Sequence, residues 1–256
     1  MSERTSYPPG TPSWVDLGTP DPAAASEFYS GLFGWEIMEG PPETGGYRMC
    51  MLRGQPVAGL GPQQSTEMPP WWTTYISVHS ADETAAAIVA DGGTIVVEPM
   101  DVLDVGRMAV ATDSCGAVFS IWQPRSHIGA GLVNEPGTLC WNELNTRHPV
   151  QHVAFYDAVF DWTARRSEGP MPYVEFQLHG RSVAGLMEMT DDFPPDMPDS
   201  WSVYFAVADC DASAAKVTEL GGTVVVPPTD IPPGRFAVCV DPQGATFSIL
   251  ALTEEM

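Results

Sequence analysis

Basic residues are scarce: 11 Lys and Arg stand against 33 Asp and Glu, a formal net charge of −22 over 256 residues. The deficit is shared, 5 against 15 up to His127 and 6 against 18 after it. Such a chain repels phosphates and anionic lipid headgroups, so the expected partners include no nucleic acid and no membrane. No apolar run exceeds six residues, Ala85–Ala90 being one, which is too short to span a bilayer. Met1 to Pro12 lacks the basic-then-apolar pattern of a secretion signal, and a cytoplasmic location is expected. Cys50, Cys115, Cys140, Cys210 and Cys239 are odd in number and form no C-x-x-C pair. They are expected as small buried hydrophobes in a reducing compartment, not as a zinc site or disulfide framework. Absent too are a G-x-G-x-x-G or Lys-bearing phosphate loop, a G-x-S-x-G elbow and a Cys/His nucleophile pair. With 44% apolar and 17% charged residues, the chain can still bury a core.

What is present is present twice. Ser13–Thr19 returns as Cys140–Thr146 and Phe28-Tyr29 as Phe155-Tyr156, both offset by 127. Val57-Ala-Gly-Leu60 returns as Val183-Ala-Gly-Leu186, offset by 126, and Trp72–Val78 as Trp201–Val207, offset by 129. Gly106-Arg107 matches Gly234-Arg235, and Asp113–Ser120 matches Asp241–Ser248, offset by 128. Ordered blocks with small drifts at loops mean a duplicated domain, and the period is too long for a solenoid. Two homologous domains are expected, 1–125 and 126–256.

Local signals give each half its elements. Trp14–Gly18 alternates as a strand; Asp21 is an N-cap with Pro22 at N1, and Ala25, Phe28, Tyr29, Leu32 and Phe33 make one helical face ended by Gly34. Tyr47–Leu52 and Gln55–Leu60 are strands split by Arg53-Gly54, a hairpin signal. Trp72–Val78 is a strand, Asp82 can cap a second helix stopped by Gly92-Gly93, and Thr94–Val97, Arg107–Ala111 and Ala117–Trp122 follow as strands. Each half reads β-α-β-β-β twice, so the fold class is α+β with four such modules.

A strand, then Asp21-Pro-x-x-x-x-x-Phe28-Tyr-x-x-Leu32-Phe-Gly34-Trp35, then a late Asp241-Pro-x-Gly244-x-x-Phe247 strand, resembles the vicinal oxygen chelate superfamily. That superfamily includes glyoxalases, bleomycin- and fosfomycin-resistance proteins and extradiol dioxygenases. The likeness runs from about Thr11 to Leu252 and is nearest to tandem members called glyoxalase-like or hydroxylase. It implies paired modules curled into open cups, each holding a divalent metal on a first-strand His, a fifth-strand His and a last-strand Glu. Through the aligned blocks those positions hold Trp14, Thr73 and Ser120 in one half and Trp141, Ser202 and Ser248 in the other. Indole cannot ligate and neutral hydroxyls are poor ligands for iron, zinc or nickel, so no cofactor and no metal is expected in the cups.

Residues two apart on a strand share a face, which puts Asp16 beside Trp14, Glu143 beside Trp141, Tyr75 beside Thr73, Tyr204 beside Ser202 and Trp122 beside Ser120. If these face the cups, each is lined by an indole, a carboxylate, a phenol and hydroxyls, a lining for a small organic molecule with a flat part and a cationic or hydrogen-bonding part. Asp16 and Glu143 are the candidates for acid–base catalysis, since burial would raise their pKa values. Arg107 and Arg235 are candidate contacts, either to ligand or to those carboxylates, and His127 is the one histidine expected at a cup rim. His148 and His152, i,i+4 on a helix, are expected on a solvated face, with His79 at a strand end and His179 in a hairpin turn. Three functions stay open: a metal-free binder of a small cationic or aromatic molecule, a glyoxalase-like lyase, isomerase, hydroxylase or dioxygenase, and an interaction protein whose tryptophans plug its cups. A monomer or homodimer would serve any of them.

Overall fold

The computed structural model describes residues 3–63, 65, 69–167, 173–191 and 193–253. Two eight-stranded sheets carry four helices, an α+β fold in which each half supplies one sheet. The first sheet contains β1 (Pro12–Thr19), β2 (Glu36–Glu39), β3 (Arg48–Leu52), β4 (Gln55–Pro62), β5 (Trp71–Ser77), β6 (Thr94–Val102), β7 (Gly106–Thr112) and β8 (Val118–Pro124), in the order β2-β3-β4-β1-β5-β8-β7-β6. The second repeats that order with β9 (Leu139–Thr146), β10 (Thr163–Arg166), β11 (Tyr173–Leu178), β12 (Arg181–Glu188), β13 (Ser200–Ala206), β14 (Thr223–Ile231), β15 (Gly234–Val240) and β16 (Thr246–Leu252).

The turn chemistry follows the sequence. Arg53-Gly54 has φ of 51° and 75°, and His179-Gly180 repeats it at 51° and 77°, the two left-handed positions of a type I′ hairpin. Helix α1 (Pro22–Phe33) is capped by Asp21, whose carboxylate accepts from Ala23 N and Ala24 N, and Gly34 ends it at φ 73°. The expected cap of α2 (Ala81–Ala90) is displaced: Ser80 accepts from Glu83 N, while Asp82 turns outward to Arg107. Strand β2, short and mostly exposed, has no apolar alternation and is added by the structure.

The halves are joined through crossed cores. Phe28, Tyr29, Phe33 and Trp35, of α1 and just after it, pack with Val203, Phe205, Phe247 and Ile249 of β13 and β16 and with α4 (Cys210–Glu219). Reciprocally, Ile76, Ile88, Phe119 and Ile121 of the first half pack with Phe155, Tyr156 and Phe160 of α3 (Pro149–Phe160) and with Trp162 and Phe176. Each core thus combines the first module of one half with the second module of the other. The bonds are matched: Tyr29 donates to Asp241 Oδ2 at 3.0 Å and Tyr156 to Asp113 Oδ2 at 2.9 Å. Trp72 donates to the Tyr29 hydroxyl and Trp201 to that of Tyr156. Trp35 Nε1 donates to Gly137 O and Trp162 Nε1 to Gly10 O, both at 2.7 Å. Repeated sequence blocks become a pseudo-twofold of buried polar bonds, and the opposite face of each sheet is left for the cups.

Candidate functional site

Cross-strand register builds each cup floor. In the antiparallel pair β1–β5, Trp14 stands opposite Tyr75 and Asp16 opposite Thr73, so all four share one face; β5 then places Ser120 beside Tyr75. In the second half Trp141 faces Tyr204, Glu143 faces Ser202, and Ser248 lies beside Tyr204. The alternation read from the sequence therefore brings these residues together in both halves.

In the first cup, Asp16 Oδ2 accepts from Tyr75 at 2.9 Å and from Tyr47 at 3.2 Å, and Trp14 Nε1 donates to the Tyr47 hydroxyl at 3.0 Å. In the second, Tyr204 donates to Glu143 Oε1 at 2.7 Å and Trp141 Nε1 to the Tyr173 hydroxyl at 2.8 Å. Tyr47 and Tyr173 were not singled out from the sequence, although they too repeat, at offset 126. Their room comes from glycine. A β-carbon at Gly59 would collide with the Tyr47 hydroxyl, and one at Gly185 with that of Tyr173. The repeated Val-Ala-Gly-Leu block thus keeps a bare backbone under each phenol.

Burial raises Asp16 from its ordinary 3.8 to about 6 against the lowering effect of its hydroxyl donors, and it raises Glu143 for the same reason. Desolvation and the facing carboxylate push Tyr75 and Tyr204 well above 10, so both phenols remain donors. Neither carboxylate makes an ion pair among the described residues. The expected arginine partners point elsewhere: Arg107 pairs with Asp82 at 2.8 Å and Asp101 at 3.1 Å, and Arg235 with Asp211 at 2.7 Å and Asp230 at 2.8 Å. Strand alternation explains the correction. Met108, the neighbour of Arg107, packs with Trp14, Tyr75 and Trp122, which sends Arg107 to the outer face.

The two cups differ. Trp122, buried against Gly106 and donating to His127 O at 2.8 Å, becomes Leu250 in the second half. His127 packs edge-on to Trp14, with ring centroids 4.6 Å apart, and to Trp122 at 5.7 Å. Burial lowers it to about 4, so the ring is neutral near pH 7, and its buried Nε2 has no hydrogen-bond partner among the described residues. The floor hydroxyls are partly engaged: Trp71 donates to Thr73 Oγ1 at 3.0 Å, and Asn145 to Ser202 Oγ at 2.9 Å.

The metal positions implied by the superfamily resemblance do not fit a metal here. Trp14 and Trp141 offer no lone pair and spend their N–H groups on tyrosines, and Thr73, Ser202, Ser120 and Ser248 are neutral hydroxyls. The outlying histidines also need correction. His152, expected on a solvated face, is fully buried, with Nδ1 2.8 Å from Asp113 Oδ2 and Nε2 2.9 Å from Asp199 Oδ2. Those acids lie far off in sequence, so spacing along the helix gave no sign of them.

Residues 11–121 match the family described as the glyoxalase/bleomycin resistance protein/dioxygenase superfamily, and residues 141–250 match the glyoxalase-like domain family. The chain is 45% identical over 258 residues to "Putative glyoxylase CFP32" of Mycobacterium tuberculosis, covering 98% of each. It is 37% identical over 269 residues to "Anthracycline biosynthesis protein DauV" of Streptomyces sp. strain C5, covering 98% of this chain and 96% of that one. Among solved structures it is similar to the Mn(II)-bound glyoxalase from Novosphingobium aromaticivorans, with a TM-score of 0.66 and 14% identity over 100% of this chain and 87% of that one, a likeness of fold.

Proposed function

The chain belongs to the glyoxalase/bleomycin resistance protein/dioxygenase superfamily, and on that premise we propose that it binds a flat, amine-bearing organic molecule in its first cup without the family's metal. One observation carries this reading. Within a wall of Trp14, Trp122 and Tyr75 stand a carboxylate that, among the described residues, meets no cation and an imidazole nitrogen that meets no hydrogen-bond partner. An uncompensated carboxylate in an apolar setting costs several kcal/mol, and an ammonium group offsets that cost. The indoles supply a surface for a ring and a cation, worth about 0.5–2 kcal/mol per contact. The His127 Nε2 would accept or donate one further hydrogen bond, according to tautomer. The name of the DauV relative makes an anthracycline, a flat aromatic carrying an amino sugar, a suitable first probe.

The test follows tryptophan fluorescence while untagged protein is titrated with an anthracycline, planar aromatic amines and their carboxylate analogues. Amines are expected to bind more tightly, with Asp16→Asn weakening them roughly tenfold or more, the size of a lost charge-assisted hydrogen bond. Trp14→Ala is expected to weaken them several-fold and Glu143→Gln to leave them unchanged. Preference for carboxylates, or indifference to Asp16→Asn, overturns the reading.

A second reading rests on a different observation: Asp16, raised to about 6 and hydrogen-bonded to Tyr75, is poised to move a proton near neutral pH. A turnover profile breaking near pH 6, with the break lost in Asp16→Asn, would favour an enzyme over a binder.

A further inference from the structure

Outside both cups, and independent of the ligand proposed for them, three chemically different donors meet where the halves join. Cys115 stands in the turn between β7 and β8, its backbone N–H held by Asp113 Oδ1 at 3.0 Å. His148 is the residue just before α3, and Asp199 precedes β13. One ligand atom from each, a thiol sulfur, a ring nitrogen and a carboxylate oxygen, all lie within 4.8 Å of one another. We propose that Cys115, His148 and Asp199 form a binding site for one transition-metal dication of the zinc class, bridging the two halves.

The duplication provides an internal control. At matching positions the other junction has Gln243 for Cys115, Asp21 for His148 and Pro70 for Asp199, a set with one ligand at most. Position 148 gives something up to hold its histidine. Asp21 caps α1 through two backbone N–H groups, whereas His148 leaves α3 with no side-chain cap. The imidazole turns to Asp199 instead, Nδ1 lying 2.9 Å from Oδ2.

The surroundings fix that carboxylate as metal sites require. Asp199 Oδ1 accepts from Arg147 N at 2.9 Å, and Oδ2 is met by Thr146 Oγ1 at 2.7 Å and His152 Nε2 at 2.9 Å. His152, buried between Asp113 and Asp199, has Ala25 as its counterpart, so this support is also confined to one junction. A zinc ion with bonds of about 2.0–2.3 Å needs its ligand atoms roughly 3.3–3.5 Å apart. The His148–Asp199 pair, now 2.9 Å apart, would open slightly around the ion, with Cys115 Sγ already within 4.8 Å of both. The ion would take the place of any proton lying between His148 Nδ1 and Asp199 Oδ2 and of the Cys115 thiol proton, both released to solvent, so affinity rises with pH. Three protein ligands leave a fourth position to water. His148, with 54% of its side chain exposed, provides the way in.

The experiment uses untagged full-length protein stripped with chelator and titrated with Co2+, then Zn2+. One cobalt per chain is expected, with a thiolate-to-cobalt charge-transfer band and the strong visible bands of a tetrahedral site, all displaced by one equivalent of zinc. Cys115→Ser is expected to abolish the charge-transfer band and weaken zinc at least tenfold. His148→Asn, which restores a capping residue, is expected to weaken zinc similarly while leaving the metal-free protein at least as heat-stable, separating ligand loss from misfolding. Asp16→Asn, in the first cup and away from this junction, should leave cobalt and zinc binding unchanged. Weak six-coordinate cobalt spread over the acidic surface, zinc binding unchanged in Cys115→Ser, or zinc lost with Asp16→Asn would each overturn the site.

Discussion

Asp16 burdens the folded state. Its carboxyl titrates near 6 when folded and near 3.8 when unfolded, so between about pH 4 and 6 only the folded chain keeps the proton. Stability from this group is therefore full below pH 4, falls as pH rises through that window and stays reduced above it. Two units correspond to at most about 3 kcal/mol. Asp16→Asn is expected to raise the melting temperature by several degrees at pH 7.5 and by almost nothing at pH 4, read by circular dichroism at both. An equal gain at both pH values would disconnect the effect from ionisation. A second residue-scale expectation concerns Gly59. Gly59→Ala must lift Tyr47 off the sheet and break its bond from Trp14, costing about 1–3 kcal/mol and shifting tryptophan emission. An unchanged spectrum and melting curve would mean the phenol sits elsewhere.

Among elements, the two buried Tyr–Asp bonds permit a matched comparison. Among the described residues Asp241 receives one side-chain donor, Tyr29, while Asp113 receives Tyr156 and also faces His152 at 2.8 Å. Tyr29→Phe strands a buried carboxylate oxygen and is expected to cost about 1–3 kcal/mol, with Tyr156→Phe costing less because His152 stays. Urea denaturation of both variants checks the order, and the reverse order would refute it. The strands, helices and duplication were legible because turn residues, caps and repeated blocks act locally. The shared faces of Trp14 with Asp16 and of Thr73 with Tyr75 were legible too, since alternation fixes faces within a strand, whereas their pairing across β1 and β5 came only with the register. Arg107 was misread because Asp82 and Asp101 lie on the outer side of the sheet, beyond what period two alone could assign. His152 was misread because its burial depends on Asp113 and Asp199, brought in by tertiary packing from outside its helix.

For the whole molecule, crossed cores make the halves interdependent. A chain ending at 125 would expose Phe28, Tyr29, Phe33 and Trp35 with no β13 or β16 to cover them. Expressed alone, that half is expected to dimerise by reusing the pseudo-twofold or to stay molten. Sedimentation and near-ultraviolet dichroism distinguish these states, and a folded monomer would contradict the prediction. The intact chain should melt in one transition, since neither core can open without disturbing both halves.

The same crossing sets a timetable for synthesis. Tyr29 meets Asp241 across 212 residues, so at roughly 5–20 residues per second the first helix waits about 10–40 s for its partner to leave the ribosome. The core shared by α2 and α3 can close sooner, since Tyr156 follows Asp113 by only 43 residues. The nascent protein therefore assembles from its middle outward, with an aromatic helix at its leading end uncovered until the last strand is made.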